Sequence, residues 1–277
     1  MVIIKYTDFI YIKLLQGLQK KFTIRYNRDK NNLYANISNY AKSETFDLKL
    51  NYKIMKTDYL IKHIIGTFLF FVIIFISAGR IDYWQGLIYV IIGLVMFVLQ
   101  CTVLRIDSEL LKERSKPGEG TKKWDKTILG LSFLITISMF IIAGLDSGRY
   151  HWSPHFHWSI YLLGIILTMF GQLIFLIAQK QNKFFSSTVR IQTDRDHIVC
   201  ETGLYSIVRH PAYLGSIIQS LGFPLLFGSL WSIIPICLSI ILLITRTNLE
   251  DKTLKNELKG YLEYSNKTRY KIIPHVW

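Results

Sequence analysis

Five long stretches without a charged residue constrain this chain more than any other feature. Four of them cover residues 63–79, 83–104, 127–145 and 158–178, and the fifth covers residues 212–245. A helix needs about 20 apolar residues to cross the hydrocarbon core of a bilayer. The runs therefore predict an all-α, polytopic membrane helical bundle.

The fifth run predicts a helical hairpin. It is too long for one span and slightly short for two full spans with a turn. Gly222, Pro224, Gly228 and Pro235 interrupt it, and such residues break or end helices. We therefore expect a tight turn near residues 227–231 and about six spans in total.

The distribution of basic residues predicts the orientation. The chain has a formal net charge of +14, and its lysines and arginines avoid the apolar runs. With six spans, every Lys and Arg except Arg80 and Arg149 falls on one side, which the positive-inside rule makes cytoplasmic. We therefore expect both termini in the cytoplasm, with no nucleic-acid partner, and leave the oligomeric state open.

Residues 1–58 differ from the rest of the chain. They are rich in Lys, Asn and Tyr and lack a sustained apolar run. We expect a basic polar tail that is disordered or loosely membrane-associated, followed by a membrane domain over residues 59–277. In an alternative interpretation Met55, just ahead of the first span, is the native start, so that the preceding residues are not native.

A polar, cationic turn at residues 203–215 opens directly into the fifth apolar run. Pro211 suits the first turn of a helix because it has no N–H to lose. The N–H groups from Ala212 onward would then lack helical partners and carry partial positive charge. With Arg209 and His210 just ahead, the turn predicts a site for a carboxylate or phosphate.

Two tyrosines add aromatic surface to this turn. Tyr205 and Tyr213 flank the Arg-His-Pro sequence. Their rings offer faces that a flat heterocycle or a sulfonium cation could contact. The turn therefore has the residue types of a cofactor site.

The pattern G-x-Y-x-x-V-R-H-P-x-Y-x-G of residues 203–215 resembles the signature of the integral-membrane methyltransferases typified by isoprenylcysteine carboxyl methyltransferase, relatives of the phospholipid N-methyltransferases. A second block follows in the family's order: Arg246, the acidic pair Glu250 and Asp251, and then the G-Y-x-x-Y element of residues 260–264 and the proline of residues 273–274. The resemblance covers roughly residues 59–277 and is strongest after residue 184.

The resemblance implies S-adenosyl-L-methionine as cofactor, S-adenosyl-L-homocysteine as product, and a cofactor site within residues 200–277. It implies catalytic roles for Arg246 and Glu250 and substrate binding by Arg246 and Tyr261. In this chain Asp takes the second acidic position with a shorter side chain. The expected cofactor-binding residues are Tyr205, Val208, Arg209, His210, Pro211, Tyr213, Gly215, Glu250 and Asp251.

The methyl acceptor is not fixed by the sequence. By resemblance it is a lipophilic, prenylcysteine-type carboxylate that enters from the membrane lipid, and a carboxylate needs no general base. A lipid amine would have to lose a proton, for which Glu250 would be the base. The methyl transfer itself needs only alignment of donor and acceptor and exclusion of water.

Two rival functions stay open. Membrane sterol reductases, which use NADPH, share the Arg-His-Pro-x-Tyr-x-Gly turn, but their glycine is typically followed by Glu, whereas Ser216 stands here. The second rival is a non-catalytic membrane protein with an inherited fold. Loss of the motif's polar residues would favour it, and all of them are present.

Three further segments carry expectations. Residues 184–199 alternate polar and apolar positions, which predicts an extended element or hairpin over the site with Arg190 near its mouth. Residues 252–264 predict a C-terminal amphipathic helix that roofs the cofactor with Leu254, Leu258, Tyr261 and Leu262.

The third segment contains His151, His155 and His157, which have the spacing to bind zinc or copper. No cysteine lies near them, and the loop falls on the non-cytoplasmic side. The three cysteines of the chain share no ligand spacing either. We therefore expect no metal site.

Overall fold

A computed structural model describes residues 61–62, 64–104, 110, 113–114 and 119–277. The chain divides into two units, Met1–Ile54 and Met55–Trp277, and the described residues all belong to the second. The expectations for residues 1–58 lie outside this part of the chain.

Helices dominate the described residues, among which there is no strand. Four of the helices, α2, α3, α4 and α6, are long and apolar enough to cross a membrane, and α1 and α5 are shorter apolar helices. This confirms the all-α, multi-pass membrane bundle. The helices are α1 (Ile64–Ala78), α2 (Trp84–Leu99), α3 (Lys123–Ala143), α4 (Trp158–Gln181), α5 (Pro211–Phe227), α6 (Ile233–Glu257) and α7 (Tyr261–Lys267).

The expected hairpin joins α5 to α6. Helix α5 ends at Gly228, whose φ of 65° is left-handed and costs a glycine little. The next N–H, of Ser229, closes the helix on the Pro224 carbonyl at 3.0 Å, and α6 begins after Ser232. The turn therefore lies where the sequence predicted it.

A buried carboxylate fixes this turn to the rest of the bundle. Asp146 lies in the π-helical continuation of α3 and is 0% exposed. Its oxygens accept hydrogen bonds from the hydroxyls of Ser153 and Ser229, both at 2.6 Å. A buried carboxylate is costly unless it is hydrogen-bonded, so these donors anchor the α3–α4 connection to the hairpin turn.

Glycines bring α4 and α5 into direct backbone contact. A side chain at Gly171 would meet the backbone of Gln219, and one at Gly215 would meet the Gly171 carbonyl at 2.6 Å. Close backbone approach through small residues is the usual way in which membrane helices associate. Gly93 of α2, in contrast, has nothing within 4 Å of the position that a side-chain carbon would take.

Several helix ends meet at one end of the bundle and bring polar groups of the described chain together there. The first turn of α3, the end of α4, the start of α5 and the last turns of α6 meet there, since Arg246 of α6 bonds Asp125 of α3 at 2.7 Å and α4 packs along α5. Helix α6 continues to Glu257, past the apolar run, so Arg246, Glu250 and Asp251 stand on an extension of the last span.

Candidate functional site

The Arg-His-Pro turn begins α5 as the sequence predicted, but it satisfies most of its own N–H groups. His210 is the N-cap residue and Pro211 occupies the first helical position. The His210 carbonyl accepts from the N–H groups of Tyr213 at 3.0 Å and Leu214 at 3.2 Å. Only the Ala212 N–H is left without a backbone acceptor among the described residues, which corrects the expectation of a whole free turn.

Arg209 lines the cavity described below, but it is buried and most of its N–H groups donate to protein acceptors. It is 5% exposed, and its Nε and Nη2 donate to the two oxygens of Asp251 at 2.7 and 3.2 Å. Its Nη1 donates to the carbonyls of Thr268 and Arg269, both at 2.7 Å. A planar guanidinium has five N–H donors in a fixed fork, so this one side chain binds α6 to the C-terminal segment.

The backbone of the turn reinforces that attachment. The N–H groups of Arg209 and His210 donate to the carbonyls of Tyr270 and Lys271 at 2.9 and 2.8 Å. The Tyr261 hydroxyl donates a hydrogen bond to Asp251 at 3.1 Å. Burial, and to a smaller extent the negative charge of Asp251, raises the pKa of that hydroxyl. The phenol therefore stays a neutral donor, and the C-terminal segment is held by several bonds at once.

A second group of polar side chains faces the same space. Tyr213 donates a short hydrogen bond to Glu250, and the guanidinium of Arg246 lies over the Tyr213 ring, 5.5 Å from its centroid. The Nε and Nη2 of Arg246 both donate hydrogen bonds to the Asp125 carboxylate. One oxygen of Glu250 and the Nη1 of Arg246 have no hydrogen-bond partner within the described part of the chain.

These residues border a cavity of about 230 Å³. Its floor comes from α5 and α6, and its walls come from the connection between α4 and α5 and from the C-terminal segment. Both aromatic rings and charged groups line it. The lining includes Phe175, Phe184, Phe185, Arg190, His197, Tyr205, Arg209, His210, Ala212, Tyr213, Arg246, Glu250, Leu254, Leu258 and Tyr261.

One wall of the cavity is fixed by a buried ion pair. Arg190 is 4% exposed and donates to both oxygens of Glu113 at 2.8 and 2.7 Å, as well as to Asp194 at 2.8 Å. The hydrogen bonds that Arg190 donates to these two carboxylates raise the pKa of its guanidinium. Arg190 thus lies at the cavity as expected, with its charge already balanced by protein groups.

Residues 184–199 cover the cavity without forming the expected extended element or hairpin. They are irregular except for one 3₁₀ turn, Thr193–Arg195. The His197 ring stacks on Phe184 with centroids 4.6 Å apart, and its Nδ1 accepts the Gln192 N–H at 3.3 Å. Side-chain stacking and the Arg190 ion pair, rather than strand pairing, hold this wall, which explains why alternation misled the prediction.

The structure brings seven of the residues predicted for the site to the cavity. It places the other four behind the wall. Val208 and Pro211 are buried, Gly215 lies in the seam with Gly171, and Asp251 is turned to Arg209. The seven at the cavity are Tyr205, Arg209, His210, Tyr213, Arg246, Glu250 and Tyr261.

The predicted C-terminal roof is right in part. Leu258 and Tyr261 are buried and pack with Leu254, Ile191 and Val199. Leu262, in contrast, is 54% exposed. The helix breaks between Glu257 and Tyr261, which turns Leu262 away from the stripe that an unbroken helix would form.

Sequence reasoning missed Asp125, which holds Arg246. A carboxylate in the first turn of a helix is an ordinary stabiliser of the helix dipole, so no local signal marked it. Its partner is 121 residues away, and only the folded bundle shows the pair.

The histidine-rich loop forms no metal-binding group within the described ranges, and neither does any other set of His, Cys, Asp and Glu. His151 and His155 have ring centroids 6.0 Å apart. His157 instead caps α4 by accepting the Ser159 N–H at 3.4 Å.

Part of the chain is similar to known proteins. Residues 162–256 match the family model described as "Isoprenylcysteine carboxyl methyltransferase (ICMT) family". A "Protein-S-isoprenylcysteine O-methyltransferase" of Saccharomyces cerevisiae is 32% identical over 114 residues, which are 38% of this chain and 46% of the yeast protein. The chain thus spans about half the length of the curated relative that it matches. Over residues 162–256, the chain is therefore similar to the isoprenylcysteine carboxyl methyltransferase family.

Proposed function

We propose that this chain is an S-adenosyl-L-methionine-dependent membrane methyltransferase whose acceptor is a lipophilic, prenylcysteine-type carboxylate. The observation that carries the proposal is the cavity in which Arg246, Glu250 and Tyr213 meet aromatic walls at one end of a membrane bundle. The family match and the name of the yeast relative support the type of reaction.

The residues of the cavity fit such a methyl donor. Glu250 keeps one carboxylate oxygen for an ammonium or ribose hydroxyl, and the Ala212 N–H at the start of α5 suits a carboxylate. The stacked rings of His210 and Tyr213, 5.6 Å apart and 6° from parallel, offer a face to adenine or a sulfonium. Arg209 and Asp251 then act by holding the C-terminal segment over the cavity rather than by touching the cofactor.

The methyl transfer requires the protein mainly to align the methyl donor with the acceptor and to exclude water. When bound, S-adenosyl-L-methionine supplies a methyl group already activated by its sulfonium, and a carboxylate accepts it without losing a proton. The Nη1 of Arg246 orients the acceptor carboxylate, since it is the part of that guanidinium with no partner among the described residues. Phe175, Phe184 and Phe185 exclude water from the cavity.

The cavity end of the bundle faces the cytoplasm in this proposal. The loops at the opposite end, residues 79–83, 144–157 and 228–232, contain two basic residues, Arg80 and Arg149. The positive-inside rule places that end outside and the cavity, with the C-terminus, inside. The lipid tail of the acceptor enters sideways from the membrane between helices.

Titration of the detergent-purified protein with S-adenosyl-L-homocysteine and, separately, with NADPH tests the cofactor. We expect binding of the homocysteine product, weakened by Glu250→Ala and His210→Ala. Binding of NADPH alone would replace the proposal by a reductase.

Methyl transfer to an S-farnesyl cysteine derivative tests the acceptor. We expect labelled methyl groups that alkali releases as methanol, because a methyl ester is base-labile. An alkali-stable product on a lipid amine would instead indicate N-methylation with Glu250 as base.

A further inference from the structure

Asp125 is a buried carboxylate outside the residues that match the family. It stands in the first turn of α3 and is 0% exposed. Its Oδ1 accepts from Nε of Arg246 at 2.7 Å, and its Oδ2 accepts from the N–H of Val189 at 2.7 Å. One carboxylate therefore ties α3 to α6 and to the wall of the cavity.

These bonds fix the orientation of the Arg246 guanidinium. Its Nη2 lies 3.4 Å from Asp125 Oδ2 and donates to the Ser187 carbonyl at 3.1 Å. Its Cζ lies over the Tyr213 ring, 5.5 Å from the ring centroid. Because a guanidinium is rigid and planar, holding its Nε and Nη2 edge also determines where Nη1 points.

An ordinary helix-dipole role does not account for this arrangement. A first-turn carboxylate that only complements the dipole gains little and usually stays solvated. Asp125 is removed from solvent completely, which is costly for a charge unless a partner of opposite charge compensates it. The compensating partner is the arginine that lines the cavity.

We propose that Asp125 is a positioning residue that sets the Nη1 of Arg246 for the acceptor carboxylate. This inference rests on the proposed function. Asp125 contacts no substrate itself, and its effect is selective for an acidic acceptor. The same carboxylate holds Val189, so it also sets the distance between Arg246 and the cavity wall.

The test is steady-state kinetics of Asp125→Asn, which keeps the shape of the side chain and removes its charge. We expect the KM for the S-farnesyl cysteine derivative to rise about tenfold or more, since hydrogen bonds between charged groups are among the strong ones. The affinity for S-adenosyl-L-homocysteine should stay within about twofold of the wild type. Binding of the methyl ester product should be equally unaffected because it lacks the negative charge.

A double-mutant cycle separates positioning from general damage. We expect Asp125→Asn combined with Arg246→Lys to raise the acceptor KM no further than Arg246→Lys alone. Asp146→Asn is the matched control, because Asp146 is equally buried, lies at the other end of the bundle and bonds serine hydroxyls. It should lower thermal stability and leave the acceptor KM unchanged.

The outcomes are distinct. Additive effects of Asp125→Asn and Arg246→Lys, or an equal loss of acid, ester and homocysteine binding, would overturn the positioning role while the methyltransferase proposal stands. A wild-type protein that neither binds S-adenosyl-L-homocysteine nor methylates the acid would overturn both.

Discussion

Arg209 donates hydrogen bonds to both carboxylate oxygens of Asp251, 42 residues later in the chain. The pair is buried on both sides, at 5% and 3% exposure. The arginine of the motif turn and the second acid of the C-terminal block therefore form a buried ion pair with each other. The pair holds the C-terminal segment beside the cavity that Arg209 lines.

Replacing Arg209 by Lys should loosen the C-terminal segment. A lysine carries its donors on a single nitrogen and cannot bond Asp251 and the carbonyls of Thr268 and Arg269 together. A buried carbonyl that loses its donor costs about 1–3 kcal/mol. We expect a lower thermal midpoint in detergent and faster proteolysis after residue 257. Unchanged cleavage in that segment would contradict the clamp.

Arg269→Ala is the control for this measurement. Arg269 lies in the same segment with an exposed side chain, and only its backbone carbonyl takes part in the clamp. Exposed side chains usually contribute within about 0.5 kcal/mol, so this variant should unfold like the wild type.

Replacing Gly215 by Ala should destabilise the bundle. A methyl group there would meet backbone atoms, the Gly171 carbonyl at 2.6 Å and the Phe175 nitrogen at 2.8 Å. Overpacking of a tight contact costs about 1–3 kcal/mol, which a thermal unfolding series in detergent measures.

Gly93→Ala provides the comparison for Gly215→Ala. Gly93 also lies inside an apolar helix, but nothing is within 4 Å of its added methyl group. It should not lower stability. If Gly215→Ala instead unfolds normally and loses only affinity for S-adenosyl-L-homocysteine, Gly215 is a cofactor contact after all.

Tyr213→Phe and Glu250→Gln should differ in effect. Tyr213 occupies one oxygen of Glu250, whereas the cofactor is proposed to use the other. Glu250→Gln removes the charge and should weaken S-adenosyl-L-homocysteine about tenfold or more, while Tyr213→Phe keeps the charge and should cost less. Calorimetric titration of both variants measures this, and equal losses would mean that the Tyr213 hydroxyl, and not only its ring, contacts the ligand.

Acidification should weaken the wall that carries His197. Burial, assisted by the charges of Arg190 and Arg195, lowers the pKa of this imidazole from 6.5 to about 4. The unfolded chain takes up a proton near pH 6.5 and the folded chain only near pH 4. Stability is therefore complete above pH 6.5 and is lost as the pH falls toward 4.

Thermal midpoints of the wild type and of His197→Gln between pH 7.5 and 4.5 test this titration. The midpoint of the variant should fall less steeply below pH 6.5. His155→Gln is the control, since His155 is exposed. Parallel curves for the wild type and His197→Gln would refute the role of His197.

The apolar runs alone determined that this chain is a helical membrane bundle with a hairpin near residue 228. The hydrocarbon core admits few structures, and a long uncharged run with internal Gly and Pro leaves little choice. The turn before Pro211 and the acids after Arg246 were recognised from their pattern, which resembles a known family signature.

Only the tertiary structure decided which of those polar residues meet the cavity and which hold it together. Arg209 and Glu250 look equally suited to a ligand in the sequence, yet the first is consumed by Asp251 and two carbonyls and the second keeps an oxygen. Whether such a side chain can bind a ligand depends on hydrogen-bond partners that lie far away in the sequence. Asp125 could be recognised only when the fold brought it to Arg246, 121 residues away.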